Sequence, residues 1–518
     1  MTVKAIRLEN FMAFADTGWI ELRPITLLFG RNSSGKSAII RALRLLRQNL
    51  EQPTDERYTL RFNSEHGVAL GDYTETVHGK ETDRVMRFHF RCDVPAAADA
   101  ARREINQWRQ PNNLPDIVAG TEDTLTLALT FGYDPHREAE LVGIDVICNW
   151  QITAVPGSHT LLSAVWLGRE MSEEVGYEWW LDTDLPSWQA LDWQATSFRF
   201  PQNFLPQLED APTDILPNVL SNLAQSIAIF LKGMEYQPPI RPEPQRVYVL
   251  DEIARQRWRQ QGWAALVDFL EGNRLDEPTE TKIDSWLDCL ELGLHIEPPT
   301  EHSSKDATVS KIVIKEKGAG LPVNLKNTGY GASQVIPVIV QSVTARQRVE
   351  EKTAVCVVIE QPELHLHPRA QARLTDMFVD EIYQIDTRQV EKKGDELKPT
   401  QGYREHSDVR FLLETHSEHS LLRLQKRVTE TAVGINDLQI QGKNRYLVLK
   451  DLSVYFIKRD AGASSVESIT LNEYGEFTEF PDEFETFFAD DLIEAGELAK
   501  LRLKARAKRR ETIDNSSS

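Results

Sequence analysis

The chain has 518 residues, of which 41% are hydrophobic, and its formal net charge is −20. This length accommodates two or three domains with ordinary cores, and the charge excludes a protein coated in basic surface. Any contact with nucleic acid must therefore come from a local basic patch. The N-terminus lacks a signal-peptide core and no apolar run approaches the length of about 18 residues that spans a membrane, so we expect a cytoplasmic protein without membrane contact.

A glycine-rich motif follows the first long apolar run. The run at 25–29 predicts a buried strand, the apolar spacing of 37–50 predicts a helix, and the segment between them has the pattern G-x-x-x-x-G-K-S. In that context we expect a phosphate-binding loop, in which N–H groups and a helix N-terminus face the phosphates. Lys36 would contact the β- and γ-phosphates, and the Ser37 hydroxyl would bind Mg²⁺. The residues predicted to bind a nucleoside triphosphate are Gly30, Arg31, Asn32, Ser33, Ser34, Gly35, Lys36 and Ser37.

The middle of the chain has a different character. Residues 123–195 have strand-like patterns and residues 213–292 have helical ones, with proline-rich breaks after Gln237 and Glu297. Six of the eleven tryptophans lie between 150 and 193. Aromatic side chains can stack on bases, but acidic residues outnumber basic ones in this stretch, which favours packing in a core or an interface.

A second buried strand is predicted late in the chain. The composition of 355–359 is that of a parallel strand, and Glu360 stands at its C-terminal end. Ligands bind at that edge of an open α/β sheet, so we expect Glu360 to hold Mg²⁺ through water. The alternative is an acid at a helix start, since Pro362 and Glu363 suit a first helical turn.

Small residues precede a predicted helix at 335–345. Gly329, Gly331 and Ser333 allow close approach of an anion to free N–H groups at this N-terminus. Small residues before a helix are common, so this second anion site gains meaning only from its order among the other motifs.

Histidines and carboxylates recur after both late strands. They are Glu363, His365 and His367 in the first place and Glu414, His416 and His419 in the second. Their spacing leaves a transition-metal site as an alternative. The four cysteines lack Cys-x-x-Cys spacing and predict neither a zinc site nor a disulfide framework.

Taken in order, these motifs resemble the ABC-class ATPase heads of the RecF and SMC type. The runs at 359–368 (IEQPELHLHP) and 414–419 (ETHSEH) resemble most closely a bacterial group of AAA-family ATPases with a C-terminal domain of unknown function. The chain is similar, more distantly, to the ATPase half of the overcoming-lysogenisation-defect nucleases. The resemblance covers roughly 1–90 and 310–495.

The resemblance implies an α/β fold, a P-loop NTPase head of the ABC type. This head is built from N- and C-terminal segments and is interrupted by a mixed α+β insertion. We expect an N-terminal ATPase lobe at 1–95, a β-rich and then helical insertion at 96–310, a C-terminal ATPase lobe at 311–450, and a strand-rich segment with a basic helical tail at 451–518.

The resemblance also implies roles for single residues. Ser37 and Glu360 would hold Mg²⁺, with Glu360 as the Walker B acid, and His416 would be the switch histidine. Asp72 or His78 would supply the Q-loop. The residues that stand where the signature motif of one subunit caps the γ-phosphate bound by another are Gly329, Gly331, Ser333 and Gln334.

Two departures from the family pattern bear on catalysis. The Walker B acid is Glu360 instead of the commoner Asp, and Gln361 occupies the position usual for the general-base glutamate. A neutral amide can orient a water molecule but cannot take its proton. Either Glu363 serves as the base, or hydrolysis is slow and ATP mainly holds a dimer closed; we favour slow hydrolysis. The signature also lacks its Leu-Ser-Gly-Gly core, which bears on the dimer geometry.

These observations predict an ATPase that uses ATP and Mg²⁺ in a homodimer or higher homo-oligomer formed through the ATP sites. It would sense or clamp nucleic acid, DNA or a phage component, or control a separate effector protein, in genome maintenance or anti-phage defence. Seven basic residues at 500–510 form a solvated helical tail, a phosphate contact or a docking site for an acidic partner. The alternatives are a non-hydrolysing ATP-dependent protein scaffold and a metal-dependent nuclease.

Overall fold

The computed structural model describes most of the chain outside a part of the middle region and the C-terminal tail. The described residues are 2–50, 59–64, 67–93, 103, 106–107, 124–134, 138–150, 157–167, 178–182, 197–199, 205, 207–209, 215–241, 243–259, 264–271, 277–297, 302–303, 307–310, 312–316, 322–351, 355–385, 390–393, 396–399, 404–434, 439–440, 443–444 and 446–479.

The strands among these residues are β1 (Val3–Phe11), β2 (Phe14–Asp16), β3 (Ile20–Glu21), β4 (Ile25–Gly30), β5 (Met86–Asp93), β6 (Thr124–Asp134), β7 (Glu138–Trp150), β8 (Gly157–Leu167), β9 (Glu178–Asp182), β10 (Ser197–Arg199), β11 (Gln207–Glu209), β12 (Met234–Gln237), β13 (Tyr248–Asp251), β14 (Leu294–Glu297), β15 (His302–Ser303), β16 (Ala307–Ser310), β17 (Val313–Glu316), β18 (Pro322–Asn324), β19 (Val355–Glu360), β20 (Tyr383–Ile385), β21 (Val390–Lys393), β22 (Glu396–Pro399), β23 (Arg404–His406), β24 (Val409–Thr415), β25 (Gln439–Ile440), β26 (Lys443–Asn444), β27 (Leu452–Asp460), β28 (Ala463–Leu471) and β29 (Phe477–Glu479).

The α-helices are α1 (Lys36–Leu50), α2 (Tyr73–Thr76), α3 (Ile215–Lys232), α4 (Glu252–Trp258), α5 (Ala264–Leu270), α6 (Glu277–Cys289), α7 (Tyr330–Glu351), α8 (Pro368–Glu381) and α9 (Glu418–Ala432). Short 3₁₀ turns occupy His78–Lys80, Leu325–Asn327 and Leu449–Asp451.

One compact unit comprises Met1–Leu22, Asn32–Gly233 and Lys458–Val466. Its strands run in the order β2-β1-β5-β6-β7-β8-β9, and neighbours are antiparallel. β5 alternates buried and more exposed residues, as expected of a strand with one face on the core. In this unit α1 packs against α3.

The other compact unit comprises Arg23–Arg31, Met234–Ile457 and Glu467–Ser518. Its central sheet has the order β12-β19-β24-β4-β27, and each neighbouring pair is parallel. β4 and β19 are buried along their whole length, because strands covered on both faces need continuous apolar sequence. The predicted α/β fold and both buried strands are therefore confirmed.

The register of this sheet sets which residues share its carboxyl edge. Gly30 ends β4 opposite Ile457, Glu360 ends β19 opposite Glu414, and Gln237 ends β12 opposite Ile359. β12 lies inside the stretch that the sequence assigned to the insertion, yet it is a strand of this sheet. The four-segment division of the chain itself stays a prediction.

Candidate functional site

The loop between β4 and α1 is a tight turn with several positive φ angles. Gly30, Ser33 and Gly35 have φ angles of 151°, 62° and 105°. A Cβ atom added to Gly35 would lie 2.9 Å from Ser464 Oγ and 3.2 Å from Ala13 Cβ, so only glycine fits there. The main chain at Gly35 thus lies close to the side chains of Ser464 and Ala13, as expected of a glycine in this motif.

The polar groups of this loop fit a phosphate chain. Lys36 is only 3% exposed, and the Ser34 hydroxyl is buried without a hydrogen-bond partner among the described residues. α1 has 15 residues and no acid in its first turn, so its positive dipole end lacks a neutralising carboxylate in that turn. Arg459 adds a cation, since its Nη1 donates to the main-chain oxygen of Ser33 at 3.4 Å.

Glu360 ends β19 as a buried carboxylate held by a neighbouring strand. Its Oε1 accepts a hydrogen bond of 2.8 Å from the hydroxyl of Tyr236 on β12. Its main-chain oxygen accepts one of 3.1 Å from Nη2 of Arg241. A buried carboxylate that is oriented by hydrogen bonds is suited to hold Mg²⁺ through water.

The chain after Glu360 forms a turn and not a helix. Gln361 has a φ of 47° and donates its N–H to the Glu414 oxygen at 2.7 Å. α8 begins only at Pro368, with His367 as its N-cap. The alternative of a helix-start acid at 360 does not describe this structure.

Glu363 lies in this turn and contacts the segment of the predicted switch histidine. Its Oε1 accepts the main-chain N–H of His416 at 2.8 Å, while Oε2 has no hydrogen-bond partner among the described residues. Burial raises the pKa of the Glu363 carboxyl. A buried carboxylate with a raised pKa is a better proton acceptor than an ordinary one.

A second link joins the same turn to the start of α9. Gln371 donates from Nε2 to the Leu366 oxygen at 2.9 Å, and its Oε1 accepts from the Ser417 hydroxyl at 2.7 Å. Ser417 is the N-cap of α9. Two sets of hydrogen bonds therefore connect the turn after β19 to residues 416–417.

The residues of the predicted signature motif divide into two groups. Gly329 is exposed, with no atom within 4 Å of an added Cβ. Ser333 and Gln334 are buried, and Gln334 Oε1 accepts the Arg241 N–H at 3.3 Å. A Cβ on Gly331 would lie 2.9 Å from the main-chain oxygen of His365. Of these residues, Gly329 is thus the exposed one.

Other predicted residues have plainer positions. Asp72 caps α2 through Glu75 N–H, and His78 Nδ1 lies 3.0 Å from the Met12 oxygen. Among the described residues no group of three or more His, Cys, Asp or Glu side chains could hold a metal ion, so the two histidine and carboxylate clusters form no such site there. The basic tail at 500–510 and the tryptophan side chains of 150–193 lie outside what the structure describes.

Sequence reasoning missed three residues of this site, namely Tyr236, Arg241 and Gln371. Tyr236 and Arg241 stand 124 and 119 residues before their Glu360 contacts, beside a proline-rich break that reads as a loop. No local pattern relates such distant residues, so only the pairing of β12 with β19 could reveal them.

The chain matches the profile of a known protein family. A family profile described as AAA ATPase domain matches residues 1–89 and 249–420, just over half of the chain. The chain belongs to this AAA ATPase family. It therefore carries an ATP-binding ATPase domain, for which Mg²⁺ is the usual companion ion. No curated protein matches this AAA ATPase.

Solved structures similar to this AAA ATPase include heads of SMC proteins, each at 9% sequence identity. An SMC head bound to the C-winged helix domain of ScpA has a TM-score of 0.39, covering 91% of this chain and 99% of its own. An SMC head from Thermotoga maritima has a TM-score of 0.32, covering 91% and 100%. An SMC head with an extended coiled coil, bound to the C-terminal domain of ScpA from Pyrococcus furiosus, has a TM-score of 0.36, covering 90% and 96%.

Among the described residues, no helix has both the length and the apolar character needed to span a bilayer.

Proposed function

We propose that this chain binds ATP with Mg²⁺ at the loop of residues 30–37 and hydrolyses it slowly. The observation that carries the binding is the loop itself. It combines left-handed backbone at Ser33 and Gly35, a buried Lys36, and a helix N-terminus without a neutralising acid in its first turn. Mg²⁺, when bound, would neutralise charge on the phosphates, with Ser37 and Glu360 as the residues that hold it.

Slow hydrolysis follows from the residues after β19. Gln361 stands where a base is usual and cannot accept a proton. Glu363 is the first carboxylate after Gln361 in sequence, but it is buried and already bound to the His416 N–H. Such a carboxylate can serve as the base only after the turn and the switch segment rearrange together. We therefore propose that Glu363 acts as the base only after a conformational step.

The exposed start of α7 supports an ATP-dependent dimer. Gly329 is exposed at the start of α7, whose first turn contains no acid, so this N-terminus suits a phosphate presented by a second copy. The ligand sensed would be DNA or a phage component, or the dimer would control a separate effector protein. This part, including genome maintenance or anti-phage defence, rests on the order of motifs shared with RecF-type and defence-associated ATPases.

The test is steady-state ATP hydrolysis, with and without duplex DNA, by wild type and by Lys36→Ala, Gln361→Glu and Glu363→Gln. The proposal expects measurable turnover that Lys36→Ala and Glu363→Gln abolish. Glu381→Gln is the matched control, because Glu381 is also fully buried with a raised pKa but belongs to the C-terminal end of α8. Its turnover should stay at the wild-type level.

The neutral Gln361 at the position of the usual base also favours a second function, a non-hydrolysing ATP-dependent scaffold. If wild type binds ATP without turnover and Gln361→Glu gains activity, the natural chain is such a scaffold, and the Gln361 side chain is the reason. Absence of ATP binding in wild type would contradict both versions.

A further inference from the structure

We propose that Arg241 is a positioning residue for ATP hydrolysis: it holds the turn after β19 and links this turn to the first turn of α7. The inference rests on the proposed ATPase function and deepens it. Arg241 lies in the proline-rich segment after β12, which the sequence alone marks only as a break.

The guanidinium of Arg241 donates hydrogen bonds to two successive peptide groups. Nη2 donates to the Glu360 oxygen and Nη1 to the Gln361 oxygen, each at 3.1 Å. These two carbonyls flank the Cα atom of Gln361, whose φ of 47° is rare for a residue with a side chain. Such a strained conformation persists only when its surroundings hold it. The planar fork of an arginine can hold both carbonyls at once.

The burial of this cation indicates a demanding role. Arg241 is 1% exposed, and among the described residues its side-chain hydrogen bonds go to carbonyls and not to a carboxylate. Its Nε has no partner there. Burial lowers the pKa of Arg241 to about 10, so the group is still charged at neutral pH. Burying a charge without a hydrogen-bonded counterion is costly, which makes Arg241 a poor choice for mere filling of space.

The main chain of Arg241 extends the link to α7. Its N–H donates to Oε1 of Gln334, which is also 1% exposed. One turn earlier, Gly331 lies directly against the His365 oxygen of the same turn. A shift of the α7 N-terminus, as expected when a second copy docks there, would therefore move the peptides that follow Glu360.

The first part of the test separates the fork from charge and from volume. Arg241→Met keeps volume and Arg241→Lys keeps charge, but neither can hold both carbonyls. We expect kcat to fall about 10- to 100-fold in both variants, while the Kd and KM for ATP stay within roughly threefold, since a positioning residue acts on the chemical step.

Arg346→Met is the matched control. Arg346 also donates to two main-chain carbonyls, those of Glu381 and Tyr383, and its Nε also lacks a partner among the described residues. It lies near the C-terminal end of α7. Its kcat should stay at the wild-type level; an equal fall in Arg346→Met and Arg241→Met would overturn the inference, because any arginine that donates to two carbonyls would then have the same effect.

Hydrogen exchange of residues 361–366 in the nucleotide-free protein gives a readout that does not depend on turnover. We expect faster exchange in Arg241→Met and wild-type exchange in Arg346→Met. Unchanged exchange with unchanged kcat in Arg241→Met would overturn the positioning role while the ATPase stands. If wild type shows no turnover and exchange is nevertheless faster in Arg241→Met, the proposed hydrolysis is refuted, but the role of Arg241 in holding the turn after β19 stands.

Discussion

Glu363 is the residue whose protonation is most closely tied to the turn after β19. Its pKa is raised by burial, so the folded protein keeps this proton to a higher pH than the unfolded chain does. Its favourable contribution to stability is fully present below the unfolded pKa and is lost as the pH rises through the folded one. The hydrogen bond to His416 N–H needs only an acceptor oxygen, which glutamine also offers.

We therefore expect the free energy of unfolding of wild type to fall relative to that of Glu363→Gln as the pH rises from about 4 to 8. Urea unfolding at several pH values measures the difference. The exposed residue Glu81 provides a control, since Glu81→Gln should follow wild type at neutral pH to within about 1 kcal/mol. A difference between wild type and Glu363→Gln that is independent of pH would contradict the buried, proton-holding carboxyl.

Tyr236→Phe removes the hydroxyl that orients the Glu360 carboxylate. We expect the Mg²⁺ concentration needed for half-maximal hydrolysis to rise roughly 10-fold, as for other residues that orient a metal-binding group. Stability should drop by about 1–3 kcal/mol, because the substitution removes the donor to a buried carboxyl oxygen. A Mg²⁺ titration and urea unfolding give the two values. Tyr248→Phe removes a hydroxyl that accepts from Gln245 N–H and should leave the Mg²⁺ dependence unchanged.

At the scale of elements, α7 and the turn after β19 fit together through glycine. Gly331 and Gly329 lie two residues apart, yet an added Cβ would meet the turn at Gly331 and open space at Gly329. Substitution of each glycine therefore tests the packing of α7 against the turn separately from the proposed association of two copies.

Gly331→Ala places a Cβ 2.9 Å from the His365 oxygen and requires the main chain to move. We expect a loss of about 1–3 kcal/mol in stability together with a lower kcat. Gly329→Ala has open space and should keep wild-type stability, while weakening any ATP-dependent association. Thermal unfolding, turnover and sedimentation of both variants give these values. Equal stability of the two variants would show that the α7 start does not bear on the turn.

α8 and α9 are joined by a buried ion pair that keeps this framework in place. Asp376 on α8 binds the guanidinium groups of Arg423 and Arg427 on α9. Despite burial, the Arg427 and Arg423 guanidiniums hold the pKa of Asp376 below its usual range. The stability contribution of this pair is therefore present above the unfolded pKa and lost as the pH falls through the folded one.

Asp376→Asn should lower the free energy of unfolding at pH 7 by about 3–5 kcal/mol, since the buried Arg427 keeps only Glu430 as an ion-pair partner and the partly exposed Arg423 loses Asp376. The deficit relative to wild type should shrink as the pH is lowered towards the folded pKa. Urea unfolding at neutral and acidic pH measures both effects. A deficit that grows in acid would contradict the assignment.

At the scale of the whole molecule, a net charge of −20 opposes self-association. We expect a non-hydrolysable ATP analogue with Mg²⁺ to shift sedimentation from one copy to two, and Lys36→Ala to abolish the shift. Because salt screens repulsion between the two copies, association should strengthen between about 0.05 and 0.3 M NaCl. A chain that stays monomeric with bound analogue at all salt concentrations would contradict the proposed dimer.

Whatever ATP tightens should in turn tighten ATP, since coupling between two binding sites is reciprocal. If duplex DNA is the sensed ligand, its presence should lower the Kd for ATP by the same factor by which ATP lowers the Kd for DNA. Two titrations in the same buffer test this equality. Unequal factors would mean that ATP is hydrolysed during the titration and binding is not at equilibrium, and a factor of one in both titrations would mean that duplex DNA is not coupled to ATP binding.

The sequence by itself determined the parts whose pattern is local. The loop at 30–37, the buried strands at 25–29 and 355–359 and the helix at 37–50 depend on glycine, on apolar runs and on apolar spacing within about ten neighbouring residues. For the same reason the α/β class and the order of motifs were predictable.

Only the tertiary structure decided which distant groups meet at the carboxyl edge of the sheet. The pairing of β12 with β19 brings Tyr236 and Arg241 to Glu360, and the turn after β19 brings Glu363 to His416. These contacts depend on strand register and on a left-handed residue at 361, neither of which leaves a local trace in composition. The physical reason is that tertiary packing brings together residues far apart in the sequence, whereas a sequence pattern relates only residues that are near neighbours along the chain.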